Sequence, residues 1–394
     1  MTTATREVSA RPDAARADAA REDVTGPVCG LLDIRGGQAF IRTSRYRTGP
    51  ADVHVPAAQL RQHGLRAGDL ITGSARVPQP GGRGRGRPAA LAAVDTVNGR
   101  PAAQARHRPL FDDLTPVYPR QRLRLDSGAA AARIIDLVSP IGKGQRGLIV
   151  APPKAGKTMV LQALAVAVAA SHPEAHLMAV LVGERPEEVT DLRRSVAGEV
   201  IYSTFDQPAA DHIRVAELAI ERAKRLAEAG GDVVILLDSL TRLGRAYNLA
   251  APASSRILTG GVAAPALQGP RRLLGAARTL EEGGSVTILA TVLVETGSQL
   301  DNVFFEEFKG TSNMELRLRR DLAEQRLFPA VDVITSGTRR EDLLMTAGEH
   351  AAVTRLRRAL AGLGPQQALE LLLGKVRETS VNAEFLVQAR GQAA

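Results

Sequence analysis

The sequence predicts an α/β protein in which a doubly wound, mostly parallel sheet follows a small β-barrel. Three observations carry that expectation. From about residue 132 onward, near-continuous apolar runs alternate with helical stretches, the mark of parallel strands buried on both faces. Residues 28–97 instead hold short alternating runs separated by turn residues, the mark of a small closed sheet. Between the two patterns in character, Gly147-Leu-Ile-Val-Ala-Pro-Pro-Lys-Ala-Gly-Lys-Thr158 reads as strand, Pro/Gly turn and helix start.

At 394 residues the chain has room for two or three domains, and 44% apolar residues suit a soluble globular protein. The formal net charge of +9 suits a polyanionic partner such as nucleic acid. Arginine- and alanine-rich usage would give the same balance with no such partner. Cys29 is the only cysteine, which excludes a disulfide framework or a cysteine-based zinc site within one chain and fits a reducing cytoplasm. The longest apolar stretch, Met159 to Ala170, is too short to span a bilayer and is broken by Gln162, so no membrane partner is expected.

In chain order, residues 1–26 are rich in Ala, Arg and Asp and lack an apolar core. They read as a disordered tail and not as a signal peptide. Residues 27–100 form the barrel, with strands expected at Gly30–Ile34, Ala39–Arg42, Asp52–Val55 and Asp69–Val77. Gly81-Gly-Arg-Gly-Arg-Gly-Arg-Pro88 reads as a flexible basic loop. Residues 101–130, with scattered Pro and Arg, read as a connector. Residues 131–394 form the α/β domain, with strands at Gly147–Ala151, His176–Val182, Val200–Thr204, Val233–Asp238, Val286–Val294 and Ala330–Ile334. A helix is expected over Glu217–Ala229, and helices again from Glu341 to about Arg390.

The turn ending in Gly156-Lys157-Thr158 offers a phosphate its backbone N–H groups and the free N–H groups of a helix start. Lys157 would reach the β/γ-phosphates and the Thr158 hydroxyl would ligate Mg²⁺. The usual first glycine of such a loop is Ala151 here. A chance Gly-Lys-Thr in a surface turn is the competing reading, and the flanking strand and helix weigh against it. Asp238 ends an apolar strand, where a carboxylate orients the water shell of Mg²⁺; it could instead cap the helix that Ser239 and Thr241 begin. Glu184 follows another apolar strand, at the carboxyl edge where ligands bind, and is positioned to polarise an attacking water. Glu187 and Glu188 read as first-turn helix residues, and Arg185 either contacts nucleotide or pairs with them. Arg339 and Arg326 are candidates for the cation that phosphoryl transfer needs, though spacing alone does not separate them from surface arginines.

Taken together, these residues resemble the Rho family of bacterial transcription termination factors, hexameric RNA-dependent ATPases and 5′→3′ RNA helicases. The resemblance runs from about Gly30 to near the C-terminus. It rests on Ser139-Pro-Ile-Gly-Lys-Gly-Gln-Arg-Gly147, Ala151-Pro-Pro-Lys-Ala-Gly-Lys-Thr158, Glu184-Arg-Pro-Glu-Glu-Val-Thr190 and Asp238-Ser-Leu-Thr-Arg-Leu243. Leu258-Thr-Gly-Gly261, Glu306-Glu-Phe-Lys-Gly310 and Ser336-Gly-Thr-Arg339 add to it, and the family's own phosphate loop carries alanine at the place of Ala151. The resemblance implies a RecA-type P-loop ATPase domain behind an OB/cold-shock-like barrel, with ATP and Mg²⁺ as cofactors. Nucleotide contacts are implied for Gly142, Lys143, Gly144, Gln145, Arg146, Gly147, Lys154, Ala155, Gly156, Lys157, Thr158, Met159 and Arg185. It implies Glu184 as the water-activating residue, Asp238 at the Mg²⁺ site, and Arg339 as a finger inserted into the neighbouring subunit of a ring of six. Arg326 is implied as a second trans-acting arginine.

RNA contacts are implied for Gly37, Gln38, Phe40, Arg42, Asp52 and His54 in the barrel. Arg256, Ile257, Leu258, Thr259, Gly260 and Gly261 match one central loop, Gln299 lies in the segment Gly297–Asn302 where the other sits, and Lys309 is a further implied RNA contact. The implied partners are nascent RNA, the RNA polymerase elongation complex and further copies of the chain. The sequence departs from the family at several points. Gly37-Gln-Ala-Phe40 keeps one of two stacking rings, His54 replaces a tyrosine, and Pro88 lies near the place of another. Gln299 stands for a lysine, Gly183 for an aspartate, Arg256 for a lysine, and Ser312 is a further departure. Arg83, Arg85 and Arg87 offer charge in compensation. The expected function is ATP-driven RNA translocation that terminates transcription; a ring-forming RNA-binding paralogue with weak ATPase is the alternative, and an export ATPase a distant third.

Overall fold

The structure is a computed structural model that describes residues 24–44, 46–77, 88–126 and 129–391. The barrel is built from β1 (Val24–Arg35), β2 (Gln38–Arg42), β3 (Val53–His54), α1 (Ala57–His63), β4 (Leu70–Val77), β5 (Ala90–Val97) and β6 (Arg100–Pro101). Gly36 and Gly37, both at positive φ, make the tight turn that lets β2 fold back on β1. The strands follow the order β3-β2-β1-β4-β5-β6, and a β3–β5 pairing at His54 and Ala90 closes the ring of strands. Alternation sorts the faces: Ala39 and Ile41 enter the core with Leu32, Val53 and Ile71, while Gln38 and Phe40 face outward.

Two short 3₁₀ turns lead into β7 (Pro116–Val117), β8 (Arg122–Leu123), α2 (Ala130–Val138) and β9 (Ile141–Gly142). The α/β domain continues with β10 (Arg146–Ala151), α3 (Lys157–Ser171), β11 (His176–Glu184), α4 (Pro186–Ser195), β12 (Glu199–Thr204), α5 (Ala209–Glu228) and β13 (Asp232–Asp238). Then come α6 (Leu240–Leu249), β14 (Ile257–Leu258), β15 (Val262–Ala263), α7 (Gln268–Gly275), β16 (Arg278–Leu280), β17 (Ser285–Leu293) and α8 (Gln299–Thr311). The chain ends with β18 (Met314–Arg317), α9 (Arg320–Glu324), β19 (Gly337–Thr338), α10 (Ala347–Ala361), α11 (Pro365–Arg377) and α12 (Asn382–Gly391).

The main sheet has the order β12-β11-β13-β17-β10-β18-β19, parallel from β12 to β18. Helices cover both faces. Ile149 and Ala151 join one core with α3 and the C-terminal helices; Leu148 and Val150 join the other with α5, α6 and α8. Parallel strands buried on both sides explain the unbroken apolar runs read from the sequence.

Several expectations need correction. The strand expected at Ala330–Ile334 is not one; it contributes a single bridge, Val331 to Leu318. Its place in the sheet is taken by β18, whose Met-Glu-Leu-Arg alternates between buried and half-buried residues and so lacks an apolar run. The helix expected from Glu217 starts earlier, at Ala209, behind Pro208. The barrel begins at Val24, three residues inside the stretch assigned to the tail, and the connector gives β7 to the main sheet through β16. Residues 1–23 and the loop bearing Arg83, Arg85 and Arg87 lie outside the described residues.

Barrel and α/β domain dock along α5. Glu228, its side chain 1% exposed, accepts from Arg66 of the barrel at 3.0 Å and from the Phe111 N–H at 2.9 Å, and pairs with Arg225 at 2.9 Å. Burying a carboxylate costs several kcal/mol unless paired, so two guanidiniums and an N–H fix the joint geometrically. Burial still pushes the Glu228 pKa above the usual carboxylate range. Arg35 reaches Glu217 at 2.9 Å and Arg222 donates to Asn98. Gly68, at φ +83°, lies so close that a Cβ would sit 2.3 Å from the Glu221 carbonyl carbon. Gly68→Ala is therefore expected to destabilise the fold by about 1–3 kcal/mol from overpacking, read as a lower urea midpoint, and to speed proteolysis at the connector; an unchanged midpoint would count against this docking.

Candidate functional site

The phosphate loop occupies the carboxyl end of β10. Lys154 (φ +67°) and Gly156 (φ +85°) turn the backbone through two left-handed positions, and α3 begins at Lys157. Such turns aim successive N–H groups into one concavity, where the helix dipole adds positive potential. A Cβ at Gly156 would meet the Phe328 ring at 3.2 Å and the Met159 sulfur at 3.8 Å. Phe328 was not foreseen from the sequence: it arrives from the loop after α9, 172 residues away, and only the fold brings it to the phosphate loop. Met159 is 52% exposed beside it.

Glu184 closes β11 and Asp238 closes β13, and Lys157 bridges both, its Nζ 2.9 Å from Glu184 Oε1 and 2.6 Å from Asp238 Oδ1. The two carboxylates are almost completely buried. Burial works against the charge on Lys157, but Asp238 and Glu184 outweigh it and hold its pKa above the ordinary value. At Glu184, burial and then the Asp238 charge push the pKa above the usual carboxylate range, against the pull of Lys157 and Arg242. Thr291 of β17, fully buried, donates to Asp238 Oδ1 at 2.7 Å and fixes that carboxylate. The helix-capping alternative for Asp238 does not hold: Ser239 is the N-cap of α6 and accepts from the Arg242 N–H.

Gly183 sits at φ +67° in a β-bulge, and a Cβ there would crowd Arg242 at 3.3 Å. Arg242 donates to the Gly183 carbonyl and lies 3.5 Å from Glu184. Glycine at this position thus suits the backbone and leaves room for the guanidinium. Arg185, the N-cap of α4, is exposed and, among the described residues, pairs only with Glu188, at 3.3 Å.

Other expected nucleotide residues stand elsewhere. Gly142, Lys143, Gly144, Gln145, Arg146 and Gly147 lie at the amino end of β10, about 16 Å from the loop along six residues of strand. Lys143 pairs with Asp232 at 2.6 Å, and Gln145 donates to Asn313 at 2.7 Å. The structure therefore does not join them to the phosphate loop of their own chain. Arg339 is exposed at this same amino edge, its N–H bonded to the Asn313 carbonyl. Arg326, at φ +61°, is on the Phe328 loop at the opposite edge. The two arginines are not neighbours within one chain.

On the barrel, Phe40 and His54 meet edge to face at 5.5 Å and are half-exposed, with the Arg42 guanidinium 5.2 Å from the Phe40 centroid. Arg42 and Asp52 need correcting as surface contacts. They form a buried ion pair at 2.7 Å, shared with Asp33 at 2.6 Å, beneath the outer face. Gly37 and Gln38 are exposed at the hairpin turn. The two central loops do come together: a Cβ on Gly260 (φ +79°) would lie 3.1 Å from the Gln299 carbonyl oxygen. Arg256, Ile257, Thr259, Gly261 and Gln299 are exposed there, with Leu258 half-buried. Lys309 is not part of this cluster. It lies ten residues down α8, about 15 Å away, over the Phe305 ring. Ser312, 3% exposed, is the C-cap of α8.

Helix α6 links the two regions with polar side chains three residues apart. Arg242 touches Glu184; Arg245 grips the fully buried Asp301 of α8 at 2.8 and 2.6 Å; Asn248 donates to the Gly261 carbonyl and accepts from the Ala263 N–H. Their i, i+3, i+6 spacing was visible in the sequence, but the partners were not.

Comparison with known proteins agrees with this layout. Residues 131–338 match the ATP synthase alpha/beta family, nucleotide-binding domain, and residues 28–103 match the Rho termination factor, RNA-binding domain. The chain is 62% identical over 369 residues to transcription termination factor Rho of Streptomyces lividans, covering 93% of this chain and 52% of that one. The factor of Micrococcus luteus is 58% identical over 385 residues, covering 95% and 56%. The chain thus spans about half the length of these two relatives. The α/β fold is shared with a prototypical ATPase of a bacterial type III secretion system, at a TM-score of 0.60 and 23% identity over 71% of this chain and 87% of that one. With the Rho factor of Streptosporangium roseum the match is end to end, 58% identity over 99% of this chain and 98% of its relative, and on that ground the chain belongs to the transcription termination factor Rho family.

Proposed function

We propose that this chain is one subunit of a ring-shaped ATPase that binds nascent RNA, moves along it 5′→3′ by hydrolysing ATP, and terminates transcription in the cytoplasm. One observation carries the reading: the phosphate loop, Glu184 and Asp238 share one edge of the sheet, while Arg339 stands exposed on the other. A site split in this way is completed by a second copy of the chain.

ATP phosphates would draw Lys157 away from the carboxylates toward the loop. Glu184 then loses the cation that most favours its charge, and becomes a stronger base for the proton of the attacking water. The donor set fits Mg²⁺, which binds through one or two protein oxygens plus phosphates and water. Thr158 and Asp238 would hold it, and the ion would neutralise phosphate charge. Arg339 of a neighbour would add the positive charge that stabilises phosphoryl transfer, and nucleotide touched by Gly142 to Gly147 would likewise be a neighbour's. The apolar Phe328 and Met159 pair offers a face for the base. On the barrel, Phe40 and His54 form the stacking platform, and the Gly260–Gln299 cluster would grip RNA by its backbone. With Gln299 in place of lysine, the central grip would have about one phosphate contact fewer, and a correspondingly shallower salt dependence. Through Arg242, Arg245 and Asn248, helix α6 would transmit a change at Glu184 to both central loops.

Three outcomes are expected. Poly-cytidine should stimulate ATPase activity, and Glu184→Gln should abolish the turnover; a protein with no RNA-stimulated turnover would sink the motor reading in favour of a binding paralogue. Arg339→Ala should cost roughly 10³-fold or more in rate. Mixing it with Lys157→Met should restore part of the activity through mixed interfaces, and no recovery would refute a finger acting in trans. Lys157→Met also leaves two buried carboxylates without their cation, a loss of about 3–5 kcal/mol in stability at pH 7. Without Lys157 the Glu184 pKa rises further, so the destabilisation is present above that pKa and shrinks as the pH falls through it. Urea midpoints for variant and parent should therefore converge as the pH is lowered from 7.

A further inference from the structure

Among the described residues, the cation that lies over the barrel's Phe40 ring is Arg42, and it is already neutralised by Asp33 and Asp52. Free charge lies further along the same turn of chain. After β2, the loop carries Arg47 across to the edge strand β12, where its guanidinium lies 4.9 Å from the Tyr202 ring centroid. Arg193, in the last turn of α4, lies over the same ring at 6.0 Å. Tyr202 is half-buried on the face of β12 opposite Ile201 and Ser203, where its ring packs partly against the apolar core and carries the two guanidiniums over it. Both arginines are exposed, and neither forms an ion pair among the described residues. With Ser44 and Gly198 they surround a polar hollow of 380 Å³ at the seam between barrel and α/β domain.

An aromatic ring flanked by two uncompensated guanidiniums has the chemistry that single-stranded nucleic acid needs: a π-face for a base and cations for the adjoining phosphates. Seven residues separate Phe40 from Arg47, so the two lie at most about 25 Å apart. That is within the reach of the 4–16 nucleotides, in rough figures, that one OB-type barrel occupies.

We propose that Tyr202, Arg47 and Arg193 form an RNA subsite that carries a single strand from the Phe40–His54 platform onto the α/β domain. This rests on the RNA-binding reading of the barrel. The test is fluorescence anisotropy of the full chain with oligo-cytidines of two lengths, one filling only the barrel platform and one long enough to reach β12, across a salt series. Arg47→Gln with Arg193→Gln should weaken the long oligomer alone and lower its salt slope by about 1.4, at 0.7 per phosphate contact on single strands. Tyr202→Ala should weaken the long oligomer roughly fivefold or more, the loss of one stacked base. Lysine at both arginine positions should restore the slope. Unchanged long-oligomer affinity and slope in the glutamine variant, with Phe40→Ala still weakening both lengths, would overturn the subsite and leave the barrel reading intact. If the parent chain binds neither length, the barrel reading itself fails, and the subsite with it.

Discussion

One ammonium group holds the nucleotide edge of this molecule together. Lys157 sits between two buried carboxylates contributed by different strands, and each alone would be costly to keep charged so far from water. The three charges are mutually dependent, which makes the arrangement stable and also convertible. Anything that competes for the lysine, phosphate above all, changes the basicity of Glu184 at once. In the proposed mechanism, a structural ion cluster and a catalytic base would be the same atoms in two electrostatic settings.

That edge is not isolated from the rest of the chain. Asp238 leads directly into α6, and successive polar residues of α6 touch Glu184, then Asp301 beneath Gln299, then the Gly261 loop. The Arg245–Asp301 pair is bidentate with Asp301 wholly buried, so α6 and the start of α8 shift as a unit or break a charged contact that is expensive to leave unmade. Gly260 allows the second loop to lie against the first without a side chain between them. The physical link between the nucleotide edge and the central loops is therefore short and polar.

The barrel shows the opposite economy of charge. Arg42, Asp33 and Asp52 neutralise one another beneath Phe40, stiffening the platform at the expense of its attraction for phosphate. Exposed cations without an ion-pair partner among the described residues, Arg47 of the barrel side and Arg193 of α4, lie at the seam with the α/β domain, around Tyr202. Glu228, Arg66 and Gly68 hold that seam at fixed geometry, so groups from both domains line one hollow there.

The strand–loop–helix at Ala151 to Thr158, the carboxylates Glu184 and Asp238 at strand ends, and the parallel character of the sheet were all legible in the sequence. Each is local: an apolar run, a turn and a residue type at a strand terminus dictate it. The misjudged strand at Ala330–Ile334 marks the limit of that reading, because β18 at the side of the sheet alternates polar and apolar residues and carries no run. Arg42 and Asp52 look like surface groups in sequence, and only closure of the barrel buries them against Asp33. Gly142 to Gly147 and the phosphate loop are neighbours in sequence, yet one strand keeps them at opposite edges. Phe328, Thr291 and the partners of α6 reach the site from distant segments. Sequence by itself determined which chemistry this chain carries, since local patterns encode strands, loops and charged residues. Tertiary structure alone decided which of those groups meet, because buried charges reveal their partners only once the strands bearing them are side by side.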